Sequence, residues 1–252
     1  MTTAMTEKIP AKVVSPAEWV AARKEFLAKE KEFTRLRDEL SRQRRELPWE
    51  RVEKSYGFEG THGKETLGDL FGGRSQLILY HFMFGPEWKE GCPSCSYLAD
   101  TFDGARVHLA QRDTAFAVVS RATLPEIQAF QKRMGWTFKW VSSFGSDFNY
   151  DYQVTAAKDE KEKAYYNYAM VNFPSEERPG LSVFYRDQTG EIFHTYSTYA
   201  RGLDILIPTY NFLDLTPKGR DEAEMKPHAM AWVRHHDRYQ SATDAKHGCC
   251  SE

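Results

Sequence analysis

The run Leu77 to Phe84, LILYHFMF, limits what this chain can become more than any other stretch, because it shows almost no polar alternation. A strand with one wet face alternates; one covered on both faces does not, so this run belongs in the middle of a sheet flanked by helices. After a short loop comes Cys92-Pro93-Ser94-Cys95. In open α/β sheets, chemistry gathers at the carboxyl ends of the strands. The buried run therefore points at two thiols.

The spacing of that pair has its own consequences. Following Gly91, Pro93 suits the first helical position, where a missing N–H does no harm. Cys92 is then the N-cap, next to unpaired backbone N–H groups and the positive end of the helix dipole, both of which favour its thiolate. Cys95, about one turn further in, is shielded yet within reach. The reading is Cys92 as nucleophile and Cys95 as resolving thiol, with Trp88, Pro93 and Ser94 as residues a substrate would meet. A Cys-x-x-Cys alone also fits half a zinc site or a structural disulfide; its place between a buried strand and a helix favours redox chemistry.

The chain of 252 residues, 41% hydrophobic, is long enough for a sizeable core and for one domain with extensions or at most two. A net charge of −2 offers no general attraction to nucleic acid or to an anionic membrane. No apolar run is long enough to span a bilayer, and residues 1–12 lack the apolar core of a signal peptide, so a cytoplasmic location is expected. Four cysteines, two of them near the C-terminal end, do not make a secreted disulfide scaffold.

In chain order, Ser15-Pro16-Ala17-Glu18 is a capping box that opens one long helix running toward Pro48. Trp19, Ala22, Phe26, Phe33, Leu36, Leu40 and Leu47 fall on a three-four spacing, interrupted by Lys29 and Gln43. That helix reads as a strap on its own domain, since the interruptions weaken a coiled-coil seam, with a dimer arm or a clamp across a partner subunit as the alternative. Residues 51–73 suggest a hairpin and a short turn. A helix continuing from Cys95 toward Gln111 is expected, then a buried strand over Thr114 to Ser120. A second capping box at Thr123 to Glu126 opens a helix closed by Gly135. A strand near Phe138, an aromatic loop to Tyr152 and a charged excursion over Ala156 to Lys163 follow. Asp187-Gln188-Thr189-Gly190 turns a hairpin. A helix interrupted by Pro208 and a short helix between Pro227 and Tyr239 end the ordered chain. Three segments result: a leader and long helix over 1–48, a core domain over 49–215 and a C-terminal extension over 216–252. The order is that of an α/β three-layer sandwich of the thioredoxin type around a central mixed sheet.

The stretches YGFEGTHGKETLGDLFGGRSQLILYHFMFGPEWKEGCPSCSYLADTF, FAVVSRATLPEIQAFQKRMGW, RPGLSVFYRDQTGEIFHTYSTYARGLDIL and MAWVRHHDRY resemble a bacterial family catalogued as a domain of unknown function. That family is thioredoxin-like and is often labelled predicted dithiol-disulfide oxidoreductase. The layout more distantly resembles peroxiredoxins, but their Pro-x-x-x-Thr-x-x-Cys motif is missing, with Lys89 where its threonine would stand. Thioredoxin-like proteins also hold a cis-proline beside the thiols. By that resemblance Pro179, five residues before Phe184, is the candidate, its backbone free to pair with a substrate peptide.

Arg121, past the second buried strand, lies at the same sheet end as Cys92 and is a candidate to support its thiolate. His235-His236-Asp237 tempts a metal reading, but adjacent helical histidines point about 100° apart. His247, Cys249 and Cys250 near the C-terminal end offer a further thiol pair or soft-metal ligands. The resulting expectation is a thiol-disulfide oxidoreductase with no bound cofactor and no metal. Its partners would be a disulfide-containing protein or a small thiol, with a homodimer open and neither nucleic acid nor membrane involved. The alternatives are a thiol peroxidase and a non-catalytic metal-binding or interaction protein on the same scaffold.

Overall fold

A computed structural model describes residues 11–156 and 163–239. The chain divides into two units, one up to Pro48 and one from Trp49 onward. The first unit carries helix α1, Pro16–Arg44, whose Ser15 and Glu18 form the expected reciprocal capping box. The helix stops at Arg44, so Leu47 lies in the turn beyond it, and none of its residues is buried. No helix among the described residues is long and apolar enough to cross a membrane.

In the second unit the strands are β1 (Glu50–Arg51), β2 (Gly57–Gly60), β3 (Gly63–Thr66), β4 (Gln76–His81) and β5 (Thr114–Ser120). They continue with β6 (Lys139–Ser142), β7 (Ala164–Tyr166), β8 (Ala169–Val171), β9 (Gly180–Arg186) and β10 (Ile192–Tyr199). Eight of them form one mixed sheet in the order β1-β10-β9-β4-β5-β6-β2-β3. As the apolar run requires, β4 is central, parallel to β5 and antiparallel to β9. Between β4 and β5 lie helices α2 (Pro93–Ala99) and α3 (Phe102–Leu109), and between β5 and β6 lies α4 (Leu124–Arg133). A parallel strand–helix–strand followed by an antiparallel hairpin, β9 to β10, is the thioredoxin core, here extended at both edges.

Alternation along β4 divides the interior. Tyr80, then Phe82 and Phe84 beyond the strand end, face α2, α3 and α4 with Leu98, Phe102, Ile127 and Phe130. Leu77 and Leu79 face the other way, toward Phe58, Leu70, Phe71, Phe148 and Phe184. Phe148 comes from α5 (Phe148–Asp151), a turn of helix inside what the sequence suggested was a loop.

Other expectations are corrected. The helix after Cys95 does not run through, because it breaks at Asp100 and Thr101. The Thr101 hydroxyl donates to the Leu98 carbonyl, and the Asp100 carboxylate accepts the Trp136 indole N–H at 2.9 Å. Pro208 starts α6 (Pro208–Leu213) rather than interrupting a helix, as its fixed φ at the first helical position allows. Residues 227–239 contain one short 3-10 turn, His236–Arg238, and no α-helix. Most of the charged excursion, and the segment with His247, Cys249 and Cys250, lie outside the described residues.

Candidate active site around Cys92 and Cys95

Beyond β4 the chain folds back on itself. Phe82 N–H donates to the Val119 carbonyl at 2.9 Å, and Cys92 N–H returns to the Met83 carbonyl at 3.0 Å, which sets Cys92 over the strand end. Gly91 permits this close return, since a Cβ there would lie 2.5 Å from the Phe82 ring and 2.8 Å from that of Phe130. Cys92 is the N-cap of α2 and Pro93 its first residue, and Ser96 N–H closes the first turn on the Cys92 carbonyl at 2.9 Å.

The two thiols sit in unlike surroundings. Cys92 is partly exposed, whereas Cys95 is buried. The Cys95 thiol donates toward the Cys92 sulfur and is the main influence holding the Cys92 thiol down, at about 7. Burial works against it, while the Cys95 and Ser94 N–H groups and the Ser94 hydroxyl add to the lowering. Cys95 is pushed well above the ordinary thiol range, first by burial, then by its hydrogen bond to Cys92 and by the Cys92 charge. The Tyr80 hydroxyl and the Met83 N–H, 3.5 Å from the Cys95 sulfur, pull it back only in part. Such a pair can hold one ready nucleophile while its neighbour stays protonated.

The C-terminal segment is built into this site. His235, buried, faces the Gly91 carbonyl through Nε2 at 2.9 Å, and its Nδ1 lies 3.2 Å from Arg133 Nη2. Arginine can only donate, so Nδ1 accepts and the hydrogen sits on Nε2, which donates to Gly91. Arg133 also holds Glu90 at 2.9 Å and Asp237 at 2.8 Å, and Arg238 grips Glu90 at 2.6 Å. Burial raises the Glu90 carboxyl, but Arg238 and Arg133 outweigh it and keep it below its ordinary value. The two residues before Cys92 are thereby fixed from far along the chain, Gly91 from 144 positions away and Glu90 from 148. Replacing His235→Ala leaves the Gly91 carbonyl and Arg133 each short of a partner, which is expected to cost about 1–3 kcal/mol in urea unfolding. A change below about 0.5 kcal/mol would show that this latch holds nothing.

The residues singled out from sequence are placed as follows. Pro93 is exposed and Ser94 partly so, on the first turn beside Cys92. Trp88 is half-buried, packed against the core that also meets Cys92. Its indole, together with Glu177, closes over Gly85, where a Cβ would stand 3.1 Å from Trp88 Nε1 and 3.2 Å from Glu177 Cγ. Arg121 does lie past the end of β5, but its guanidinium pairs with Glu177 at 2.7 Å and Glu176 at 3.2 Å and covers the Tyr150 ring at 4.8 Å. Pro179 stands one residue beyond the last β4–β9 pair, His81 with Gly180, and so at the thiol end of the sheet.

The peptide bond before Pro179 is trans, contrary to expectation; among the described residues the cis bond is Lys226–Pro227. The backbone around Pro179 is also engaged. Arg178 N–H donates to Val154 at 2.8 Å, Ala156 N–H to Glu176 at 2.9 Å, and the Tyr166 hydroxyl to the Pro179 carbonyl at 2.7 Å. Residues 154–156 thus lie antiparallel beside residues 176–178, bridged at Thr155 and Glu177.

Four participants escaped sequence reasoning. Tyr80 read only as core; Tyr166 came from the unforeseen hairpin β7–β8, and its hydroxyl holds the Pro179 carbonyl. Glu177, buried and raised by that burial against the pull of Arg121 and Thr155, carried no local signal. His235 was noticed for metal and works as a latch. Among the described residues no group of three or more His, Cys, Asp or Glu is arranged to hold a metal ion.

Residues 8–239 match the model of a family described as bacterial protein of unknown function, DUF899. No curated protein matches the chain. Similar solved structures include a mutant of Xylella fastidiosa peroxiredoxin Q, at 14% identity over 62% of this chain and 88% of that one, TM-score 0.40. Another is peroxidoxin BcpB of Mycobacterium tuberculosis, at 13% identity over 65% of this chain and 95% of that one, TM-score 0.39. A third is a candidate thiol:disulfide interchange protein DsbE of Chlorobium tepidum, at 12% identity over 65% and 97%, TM-score 0.40.

Proposed function

Since the chain belongs to DUF899, a bacterial family of unknown function, its chemistry must be read from its own residues, and we propose that it is a thiol-disulfide oxidoreductase. Cys92 attacks a disulfide and Cys95 resolves the mixed disulfide. The observation that carries this reading is the inequality of two thiols one helical turn apart, the outer one partly exposed and lowered to about 7, the inner one buried and raised.

In the first step the Cys92 thiolate attacks one sulfur of the substrate disulfide. A new S–S bond forms, the old one breaks, and the departing thiolate takes a proton from solvent. Cys92 is now neutral. Two of the influences that kept Cys95 protonated, its hydrogen bond to the Cys92 thiolate and the Cys92 charge, disappear with that bond. Cys95 can then release its proton, attack the Cys92 sulfur and expel the second substrate thiolate. The protein is left with a Cys92–Cys95 disulfide, two electrons having passed to the substrate, and a dithiol reductant restores it.

The paired backbone beside Pro179 favours a small or flexible disulfide over an extended peptide that would pair along the backbone. Trp88, Pro93 and Ser94 border the attacking sulfur on this reading.

A redox titration in glutathione buffers, followed by mass spectrometry of the alkylated protein, tests it. The expected result is reversible loss of two hydrogens confined to Cys92 and Cys95, with small disulfides consumed. Failure to form that bond at any glutathione ratio would sink the proposal. Peroxide consumed far faster than disulfide would turn the same thiols into a peroxidase pair.

A further inference from the structure

Helix α1 presents a feature that the redox chemistry does not use. From Trp19 to Gln43 the positions 19, 22, 26, 29, 33, 36, 40 and 43 alternate by three and four without a slip, the a and d sites of consecutive heptads. Six of these eight are apolar: Trp19, Ala22, Phe26, Phe33, Leu36 and Leu40. The large ones stand open, with Trp19 59% exposed, Phe26 56%, Phe33 66% and Leu36 55%. A row of that size left in water marks a surface that another surface covers.

The flanking charges say which. Counting Trp19 as a, the g sites inside the helix are Glu18, Glu25, Glu32 and Glu39, and the e sites from that heptad on are Arg23, Glu30, Arg37 and Arg44. In a parallel pair each g residue faces the e residue five positions on in the other helix; in an antiparallel pair g faces g and e faces e. Antiparallel pairing would set glutamate against glutamate and, at most e sites, arginine against arginine. Parallel pairing sets Glu32 against Arg37 of a second copy and Glu39 against its Arg44, twice over by symmetry. The one mismatch, Glu25 against Glu30, falls beside the one cationic seam residue, Lys29. A symmetric dimer must also be in register, since a staggered pair does not close.

We infer that α1 pairs with α1 of a second copy of this chain as a parallel, in-register, two-stranded coiled coil. Gln43 and Lys29 then meet their own counterparts, polar layers that favour one register at some cost in stability.

The test uses the full chain and light scattering at micromolar concentration. Wild type is expected at twice the chain mass. Glu32→Arg with Glu39→Arg makes both partners positive in the 32–37 and 39–44 pairs, and Arg37→Glu with Arg44→Glu makes both partners negative there. Each variant alone is expected to dimerise roughly 10- to 100-fold more weakly. Mixed together, they are expected to form a heterodimer of wild-type strength. Glu32 and Arg37 are exposed, whereas Glu39 and Arg44 are half-buried and Glu39 accepts from Arg42 and Gln43 of its own helix, so circular dichroism is run on each variant to check that the helix is kept. For orientation, Ala22→Cys in a chain with its native cysteines replaced by serine should cross-link to its own counterpart on mild oxidation. A wild type that stays monomeric overturns the proposal, whether or not it binds anionic vesicles. So does a dimer indifferent to both charge variants, or one that fails to cross-link at position 22.

Discussion

Cys92→Ser is expected to reduce disulfide exchange by at least ~1000-fold, because a serine hydroxyl does not ionise near neutral pH and the thiolate is the attacking species. Cys95→Ala should behave differently on two counts. It keeps the attacking sulfur, so one equivalent of substrate is captured, but the mixed disulfide has no internal thiol to resolve it and accumulates. It also deletes the largest influence that lowers the Cys92 thiol, the hydrogen bond from Cys95. In wild type the rate of Cys92 alkylation should rise as pH passes about 7 and level off above it. In Cys95→Ala that midpoint should move up toward the ordinary thiol value, so the variant reacts more slowly at pH 7 and converges with wild type in alkali. Iodoacetamide kinetics against pH, with capture followed by mass, read both effects. If the midpoint stays near 7 without Cys95, the helix N–H groups and Ser94 set it, and the assigned division of labour between the two thiols is wrong.

How much of this was legible in the sequence follows from how local each determinant is. Cys92 as N-cap, Pro93 as first helical residue and both capping boxes depend on residues within one turn, and the chain spells them out. The unbroken apolar run named the central strand for the same reason. The latch did not show, because nothing near His235 reveals that Gly91 lies against it; only the closed fold brings the two together. Arg121 illustrates the intermediate case. Its place past β5 could be read, but its partner Glu177 lies 56 residues away on the far side of an unforeseen hairpin. The occupied backbone beside Pro179 is likewise a product of tertiary pairing, since residues 154–156 carry no strand signal of their own.

The remaining large effect concerns acid rather than catalysis, and it arises on the opposite face of β4. His81 is wholly buried, stacked 5.7 Å from the Phe148 ring and 6.0 Å from that of Tyr152. Its Nε2 meets the Ser182 hydroxyl at 2.9 Å, from which a file of hydrogen bonds runs through Ser197 to His194. Among the described residues Nδ1 has no partner, so a second ring proton would add a buried charge with nowhere to donate. Burial first, and the charge of His194 second, push His81 down to about 3. The unfolded chain takes up that proton near 6.5, so between 6.5 and 3 it binds more protons than the folded chain, and stability falls as pH falls. The loss from this one ring should reach roughly 4 kcal/mol by the acid end of that window. His81→Phe keeps a flat ring in the stack, leaves Ser182 its bond to Ser197, and cannot titrate. The variant is expected to lose about 1 kcal/mol at pH 7 and to gain on wild type by about 3 kcal/mol at pH 4, in urea unfolding at both. Stability curves that run parallel with pH would mean that His81 takes up its proton in the folded state after all, and that the stack opens to admit it.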